Sequence, residues 1–299
     1  MDGSLIGAIE AGGTKFVCAL ADPSGAVIER ARIATRDPAE TFGEVTGFFR
    51  AAAARHGPIA AFGVGSFGPI DINPASPNYG RFTTTPKPGW SGASWCDALA
   101  GFGVPIRVDS DVAAAALAEA AQAPGCRTLA YTTIGTGIGT GIVRDGASLM
   151  GFSHFEAGHI HPARRADDRD FGGSCPYHGD CLEGLASGPA IIVRWGSSLD
   201  QLGYQPDVTE RVAQYIAHLA AALVMLHMPD RLIFGGGVMH APGLLEELRA
   251  QTEALLGGYI VHPRLDPGLE SFISLPVLGD EAGLTGAILL AQQALQTPR

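Results

Sequence analysis

Short apolar runs that end at glycine turns alternate along this chain with longer segments of helical period. The first run, LIGAIEA, passes through the turn GGTK at residues 12–15 into a second run, FVCAL, which the sequence DPSG closes at residues 22–25. Residues 128–143 repeat this arrangement, since TLAYTTI passes through another glycine turn into IGTGIV. The pattern predicts two glycine-cornered β-hairpins and indicates that the chain contains two related halves.

Five segments with helical spacing of apolar residues are predicted to be helices: residues 39–56, 111–123, 207–228, 242–256 and 281–296. A short strand, PIRVD, precedes the second of them. Residues 57–110 and 144–189 are rich in Gly, Pro and Asn and show no clear period, so we predict long loops, which in compact proteins are usually functional. Strands that alternate with helices indicate an α/β fold.

The length of 299 residues exceeds what one hydrophobic core usually supports, and two lobes around a central cleft are expected. No linker separates them, so the boundary is inferred from the repeat. Residues 1–111 plus 284–299 are predicted to form a small N-terminal lobe, to which the last helix returns. Residues 112–283 are predicted to form a larger C-terminal lobe that includes the loop at 154–183.

Charge and cysteine usage narrow the function class. The net charge is −10 and no Lys/Arg cluster stands out, so nucleic acid and membrane surfaces are not expected as partners. The N-terminus lacks the pattern of a signal peptide, and His218 and His227 interrupt the most apolar stretch. The five cysteines do not suggest a disulfide framework. We expect a cytoplasmic protein with reduced thiols.

The two glycine turns carry groups that suit the phosphates of a nucleotide, namely unshielded backbone N–H groups and hydroxyls. These residues are Gly12, Gly13, Thr14 and Lys15 in the first turn and Gly135, Thr136 and Gly137 in the second. Neither turn has the spacing of a P-loop or of the dinucleotide fingerprint. A further corner at Gly235, Gly236 and Gly237 joins a strand to a helix, where backbone can approach adenine. Each pattern is also compatible with a plain tight turn.

Asp111 stands where PIRVDS gives way to the helical sequence VAAAALAEAA. One interpretation is an N-terminal helix cap. The other is a general base that accepts the proton of an attacking hydroxyl in phosphoryl transfer, which needs modest base help plus positioning and charge neutralisation. The two roles are compatible at one residue.

A Cys-x2-His-x2-Cys motif with an upstream histidine is the most specific local signal. Its residues are His159, Cys175, His178 and Cys181. Four N/S ligands describe a closed, structural zinc site, whereas a catalytic zinc, as in a hydrolase, needs an open position for water. A loop with a coincidental pair of reduced cysteines is the alternative. His154 and His161 are interpreted as surface or supporting histidines.

Glu156 and Glu183 flank this motif, and a zinc loop would hold their carboxylates rigidly. Rigid carboxylates beside a cleft are good acceptors for sugar hydroxyls, although solvated surface carboxylates are the alternative. His159 is predicted to direct one ring nitrogen to zinc and the other to a sugar hydroxyl.

Taken together, these motifs resemble the ROK family of sugar kinases and repressors, within the actin-like ATPase superfamily. The resemblance rests on ExGGTK at 10–15, TTIGTGIGTGI at 132–142, EAGH at 156–159, the Cys/His loop and the 235–237 corner, and it covers nearly the whole chain. It implies a duplicated, ribonuclease H-like α/β fold with two lobes. Members carrying a helix-turn-helix before the first hairpin are repressors, but here only six residues precede Gly7.

Within the family, the chain is most similar to bacterial zinc-containing fructokinases. The motifs are Glu10, GSFGPID at 65–71, SPNYG at 76–80, TPKPGW at 85–90 and CPYHGDCLEGLASGPA at 175–190. The likeness implies ATP-dependent phosphorylation of D-fructose to fructose 6-phosphate, with Mg²⁺, a structural Zn²⁺ and a homodimer. Kinases for glucose, mannose or an N-acyl hexosamine remain alternatives.

The resemblance also implies roles for individual residues. Asp111 is the catalytic base, and the sugar site comprises Gly68, Pro69, Asp111, Glu156, His159 and Glu183. The two glycine turns, the 235–237 corner, Thr133 and Pro189 bind ATP. Two departures bear on sugar selectivity: Ala113 stands where many members have Asn, and Phe155 replaces a small residue or proline.

Overall fold

The computed structural model describes residues 4–265 and 268–296, in which strands alternate with helices. The strands are β1 Leu5–Ala11, β2 Lys15–Ala21, β3 Val27–Ala34, β4 Ile59–Ser66, β5 Ile106–Ser110, β6 Thr128–Ile134, β7 Ile138–Arg144, β8 Ala147–Ser148, β9 Arg231–Gly235 and β10 Ile273–Ser274. The helices are α1 Pro38–His56, α2 Trp95–Leu99, α3 Asp111–Ala121, α4 Leu182–Ala186, α5 Gly188–Trp195, α6 Leu199–Leu202, α7 Pro206–His227, α8 Leu244–Leu256 and α9 Ala282–Gln296. The five predicted helices and both predicted hairpins are confirmed.

Two five-stranded sheets share one plan. The first has the order β3-β2-β1-β4-β5 and the second has the order β8-β7-β6-β9-β10. Each begins with an antiparallel hairpin, β1 with β2 or β6 with β7, and adds two parallel strands on the other side. The matching strand orders confirm the prediction that the chain contains two related halves.

The chain divides into two compact units. The first contains the residues up to Ala121, Ser148–His154 and those from Asp280 onward, and the second contains Gln122–Ala147 and Phe155–Gly279. The sequence analysis placed the boundary at Asp111, at the start of α3, whereas this helix lies wholly within the first unit. The reason is close packing, since a Cβ on Gly286 of α9 would lie 1.9 Å from the carbonyl oxygen of Ala114 in α3.

Residues 57–110 were predicted to form a loop, but strand β4 lies within them, so the prediction is wrong there. The sequence of β4, IAAFGVGS, is buried almost throughout between β1 and β5, so it lacks the polar-apolar alternation that marks a half-exposed strand. Its glycines are needed for packing, because a Cβ on Gly63 would lie 2.0 Å from the carbonyl oxygen of Ala287. The predicted loop at 144–189 likewise contains the short helix α4, which the sequence analysis missed.

An aromatic core supports the irregular segment between β4 and β5. Phe16 packs against Trp90 and Trp95, with ring centroids 5.6 and 5.5 Å apart. The indole of Trp90 donates to the carbonyl oxygen of Arg36, and that of Trp95 donates to the hydroxyl of Ser66. Buried indoles with satisfied N–H groups hold the surrounding loops in fixed positions.

Helix α7 is the longest helix of the second unit, with 22 residues, and it buries one face along most of its length. Across the part of the chain that the structure describes, no helix combines the length and the apolar character needed to cross a membrane.

Candidate functional site

The first glycine turn joins β1 to β2 and is fixed through its carbonyl oxygens. The carbonyl of Gly12 accepts from the Thr35 hydroxyl at 2.8 Å, that of Gly13 from Lys87 Nζ at 2.6 Å, and that of Thr14 from the Thr35 N–H at 3.0 Å. Gly13 and Thr14 are exposed. The turn therefore presents backbone N–H groups at its surface, with Lys15 beginning β2 beside it.

Glu10 lies near the end of β1, one residue before that strand ends. Burial raises the pKa of its carboxyl group, an effect that nearby Lys15 and Arg30 oppose. The carboxylate packs over helix α9, because a Cβ on Gly283 would lie 2.6 Å from it.

Asp111 is the first residue of α3, directly after β5, as the sequence predicted. The capping bond, however, comes from Ser110, whose hydroxyl accepts from the N–H of Ala113 at 3.2 Å. The Asp111 carboxylate accepts from the N–H of Val112 at 2.8 Å and is half-buried. Because Ser110 caps the helix, the capping interpretation does not account for the carboxylate of Asp111.

Gly68 and Pro69 follow β4 and are joined by a cis peptide bond. The carbonyl of Gly68 accepts from the Thr85 hydroxyl at 3.2 Å. The N–H of Ile70 donates to Nε2 of His154 at 3.2 Å. His154 thus supports this loop, which is one of the two roles predicted for it.

The second glycine turn joins β6 to β7 and meets the start of α5. The N–H of Gly188 donates to the carbonyl oxygen of Gly135 at 2.8 Å, and Thr136 is exposed at the tip. The Glu183 carboxylate accepts from the N–H of Ile138 at 2.9 Å, and a Cβ on Gly137 would lie 2.7 Å from it. A side chain at 137 would displace the end of the Glu183 side chain from this position.

The corner at 235–237 packs on the end of β6. Gly236 has a φ of 89°, and a Cβ there would lie 2.4 Å from the carbonyl oxygen of Ile134. Thr133 pairs with Gly235 on one side and with Gly139 on the other. Pro189 stands in the first turn of α5, whose cap is the Ser187 hydroxyl. The second unit therefore assembles all its predicted nucleotide-binding residues around one hairpin.

The predicted zinc ligands converge on one point. The side chains of His159, Cys175, His178 and Cys181 place four ligand atoms within 4.8 Å of one another. Nδ1 of His159 lies 3.8 Å from Cys175 Sγ and 3.5 Å from Cys181 Sγ, and Nδ1 of His178 lies 3.7 Å from Cys175 Sγ. Zn–S and Zn–N bonds of about 2.3 and 2.0 Å in a tetrahedron separate S from N by about 3.5 Å. The residues fit zinc.

Local backbone structure forms this cluster. Cys175 and Gly179 exchange two hydrogen bonds, which folds the chain into a tight knuckle with Gly179 at φ 62°. Burial raises the pKa of the Cys181 thiol to about 11, so a metal must displace its proton on binding. All five cysteines are free of disulfides, as predicted.

His159 uses its two ring nitrogens on different sides. Nδ1 faces the cysteines, and Nε2 lies 4.0 Å from a carboxylate oxygen of Glu156. Phe155, the unusual neighbour of Glu156, packs edge-on against His227 with ring centroids 6.2 Å apart. The two ring nitrogens of His159 therefore face different groups, so one could bind a metal while the other contacts a ligand.

A buried ionic network, for which the sequence carries little signal, anchors the loop that carries the Cys/His cluster. Asp168 is 3% exposed and accepts from Arg194 of α5 and from the hydroxyl of Tyr215 of α7. Arg164 binds Asp180, one residue before Cys181, at 2.8 Å. These partners lie far apart in sequence, and only the high content of Arg and Asp in RRADDRD gave a signal.

Comparisons with known proteins agree with this architecture. The model of the ROK family matches residues 6–294. A fructokinase of Zymomonas mobilis is 42% identical over 301 aligned positions, covering 98% of this chain and 98% of that protein. The ROK hexokinase from Thermus thermophilus superposes with a TM-score of 0.76 at 26% identity, covering 98% of this chain and 99% of that one.

A ROK glucokinase from Streptomyces griseus, solved in complex with glucose and AMPPNP, gives a TM-score of 0.70 at 25% identity and covers 97% of this chain and 100% of that one. The predicted α/β class and actin-like ATPase fold are confirmed by these structures. With a family model that spans almost its whole length and a relative of this identity, the chain belongs to the ROK family.

Proposed function

We propose that this protein is a fructokinase, which transfers the γ-phosphate of Mg·ATP to the 6-hydroxyl of D-fructose. One observation carries the proposal: the same strand order occurs twice, and each copy closes its hairpin with a glycine turn that carries an exposed threonine, Thr14 or Thr136. Such turns bind phosphate oxygens. The 42% identity to a fructokinase over nearly the full length supports fructose as the acceptor.

Asp111 is the proposed general base. Its carboxylate is half-buried at the start of α3, and the helix is capped by the hydroxyl of Ser110 instead. A carboxylate of this kind accepts the proton of the sugar hydroxyl as that oxygen attacks the γ-phosphorus, while the bond to the β-phosphate oxygen breaks. ADP leaves with that oxygen.

The nucleotide is held mainly by backbone. The turns at 12–15 and 135–137 bind the phosphates through N–H groups other than those of Gly12 and Gly135, which donate within the turns. The corner at 235–237 lies against the adenine, where side chains would obstruct it. Thr133 and Pro189 border this region within the second unit. Backbone donors that are fixed before binding lose little freedom when the charged phosphates arrive.

Fructose is bound by Gly68, Pro69, Glu156, His159 and Glu183. Carboxylates that are already held by other contacts, such as that of Glu183 on the Ile138 N–H, accept hydrogen bonds from sugar hydroxyls without further ordering. His159, Cys175, His178 and Cys181 would hold zinc, which would supply a structural charge that fixes the loop. The loop in turn orients Nε2 of His159 beside Glu156.

Release of ADP in a coupled assay tests the proposal, with Mg·ATP fixed and D-fructose, D-glucose, D-mannose and an N-acyl hexosamine as acceptors. We expect the highest kcat/KM with fructose and a product phosphorylated at O6. A flat response across the panel would contradict kinase activity and favour a sugar-sensing binder. A glucose or mannose optimum would contradict only the choice of fructose.

A further inference from the structure

The basic residues of this chain are almost all arginines. Of the 20 Lys and Arg residues, only two are lysines, Lys15 and Lys87. They are 72 positions apart, yet both lie at the first glycine turn, one beginning β2 and the other bonded to Gly13. A chain that uses arginine everywhere else places both of its lysines at one turn.

The contact of Lys87 controls the direction of a peptide unit. In a trans peptide the C=O and the next N–H point to opposite sides. Because Lys87 Nζ holds the carbonyl of Gly13 at 2.6 Å, the N–H of Thr14 is turned to the other side. Thr35 does the same for the flanking peptides through the carbonyls of Gly12 and Thr14.

The opposite side of the turn carries backbone N–H donors. Within residues 4–265 and 268–296, neither the N–H of Gly13 nor that of Thr14 donates to a protein acceptor. Both residues are exposed, and a Cβ on Gly13 would meet nothing within 4 Å. Successive N–H groups that point to one open side bind anions.

An ammonium suits this position better than a guanidinium. It has three donors on a flexible stem, so one can hold the carbonyl while the positive charge stays beside the turn. The loop that carries Lys87 is itself fixed, since the Thr85 hydroxyl accepts from the Lys87 N–H and donates to the carbonyl of Gly68. The lysine therefore reaches the turn from a loop that also contacts a predicted sugar-binding residue.

We propose that Lys87 is a positioning residue for phosphoryl transfer, which aims the Thr14 N–H at the phosphates of Mg·ATP and adds a second positive charge there. The inference rests on the proposed function, in which the first turn binds those phosphates. Lys87 is thereby assigned to the nucleotide site. The motif TPKPGW, which contains it, indicates sugar specificity only through its resemblance to fructokinases.

Two variants and a control test the assignment in the full-length protein. Lys87→Met is expected to raise the Kd of Mg·AMPPNP and of magnesium tripolyphosphate about tenfold, which is the usual range for one charge-assisted hydrogen bond, and to leave the Kd of fructose unchanged within about twofold. Lys87→Arg keeps the charge and is expected to recover most of this loss. Arg50→Met removes an exposed charge from α1 of the same unit and is expected to change nothing.

The two lysines also permit a direct readout. Reductive ¹³C-methylation labels only Lys15, Lys87 and the terminal amine, and Lys87→Arg assigns the Lys87 signal. We expect magnesium tripolyphosphate to shift that signal and adenosine to leave it unmoved. An unmoved signal, or wild-type nucleotide affinity in Lys87→Met, would overturn the assignment while fructose phosphorylation by the wild type still supports the kinase. Failure of the wild type to bind any nucleotide would overturn both.

Discussion

The two glycine turns occupy equivalent positions in two sheets of the same strand order, but their surroundings differ. The first is held by its carbonyls, through Thr35 and Lys87, and Gly13 and Thr14 are exposed beside the Lys87 ammonium group. The second is closed by protein on both sides, since Gly188 donates to its carbonyl and the Glu183 carboxylate accepts from its neighbour Ile138.

This difference shows how similar sequences acquire separate tasks. Both lysines of the chain lie at the first turn, whereas the second turn has a carboxylate and the start of helix α5 as neighbours. We infer that the first unit supplies the positive charge and the general base. The second unit is inferred to supply a rigid binding surface and the sugar contacts that the Cys/His loop orients. Four perturbations, each directed at one of the two units or at both turns, are expected to differ in their effects.

Replacement of the proposed base should have the largest effect. Asp111→Ala in the first unit is expected to lower kcat by at least about 10², because the attacking hydroxyl loses its proton acceptor, while Kd for Mg·AMPPNP stays near the wild-type value. Steady-state kinetics and calorimetry measure the two quantities. Near-normal turnover would remove Asp111 from this role and with it the assignment of chemistry to the first unit.

Loss of the metal should act on the sugar and not on the nucleotide. Cys175→Ser is expected to abolish zinc retention and to weaken fructose binding by about 10- to 100-fold, because the loop no longer orients His159. Zinc content by elemental analysis and fructose affinity are measured together. Cys126→Ser, a half-buried thiol of the same unit outside the cluster, is the control. Zinc-free, folded protein with unchanged fructose affinity would contradict the coupling.

Alanine at one glycine of each turn tests the comparison of the turns themselves. Gly137→Ala forces the Glu183 carboxylate off the Ile138 N–H and is expected to lower kcat/KM for fructose about tenfold, the value of one charge-assisted hydrogen bond. Gly13→Ala adds a methyl group in open space and keeps the N–H, so we expect less than about a threefold change. Equal effects at the two sites would mean that the turns are equivalent.

The smallest effect concerns the stability of the first unit. Asp109, at the end of β5, is 6% exposed, and burial raises the pKa of its carboxyl group. An acid whose pKa is raised on folding stabilises the fold at low pH, and this contribution is lost as the pH rises through the folded-state pKa. Asp109→Asn is therefore expected to raise the free energy of unfolding at pH 8 by about 1 kcal/mol, with the difference shrinking toward pH 4.

Denaturant titrations at both pH values measure this change. The control is Asp22→Asn, whose carboxyl has a lowered pKa because it accepts from the hydroxyl and backbone of the Ser24 turn. The sign is opposite there, so this variant is expected to be less stable than the wild type at pH 8. A destabilised Asp109→Asn protein would show that the charged form is the one the fold requires.

Features encoded by neighbouring residues were predictable from the sequence. The glycine turns, the start of α3 at Asp111 and the Cys/His knuckle each need only a few adjacent residues, and the structure places them as expected. Features that depend on distant contacts were not. Gly63 of β4 could not be recognised as a strand residue, because the helix α9 that requires a glycine there is more than 200 residues away. The bond between Lys87 and Gly13 had no local signal either.

The position of α9 also has a consequence for how the protein is made. The helix covers the sheet formed by the first strands, where Leu284, Ala287 and Ile288 pack with Ile6 and Val17. Residues 122–147 and 155–279 must be synthesised before α9 leaves the ribosome, so the second unit is free to fold first. Until then, one apolar face of the nascent first unit is uncovered and open to chaperones or to aggregation.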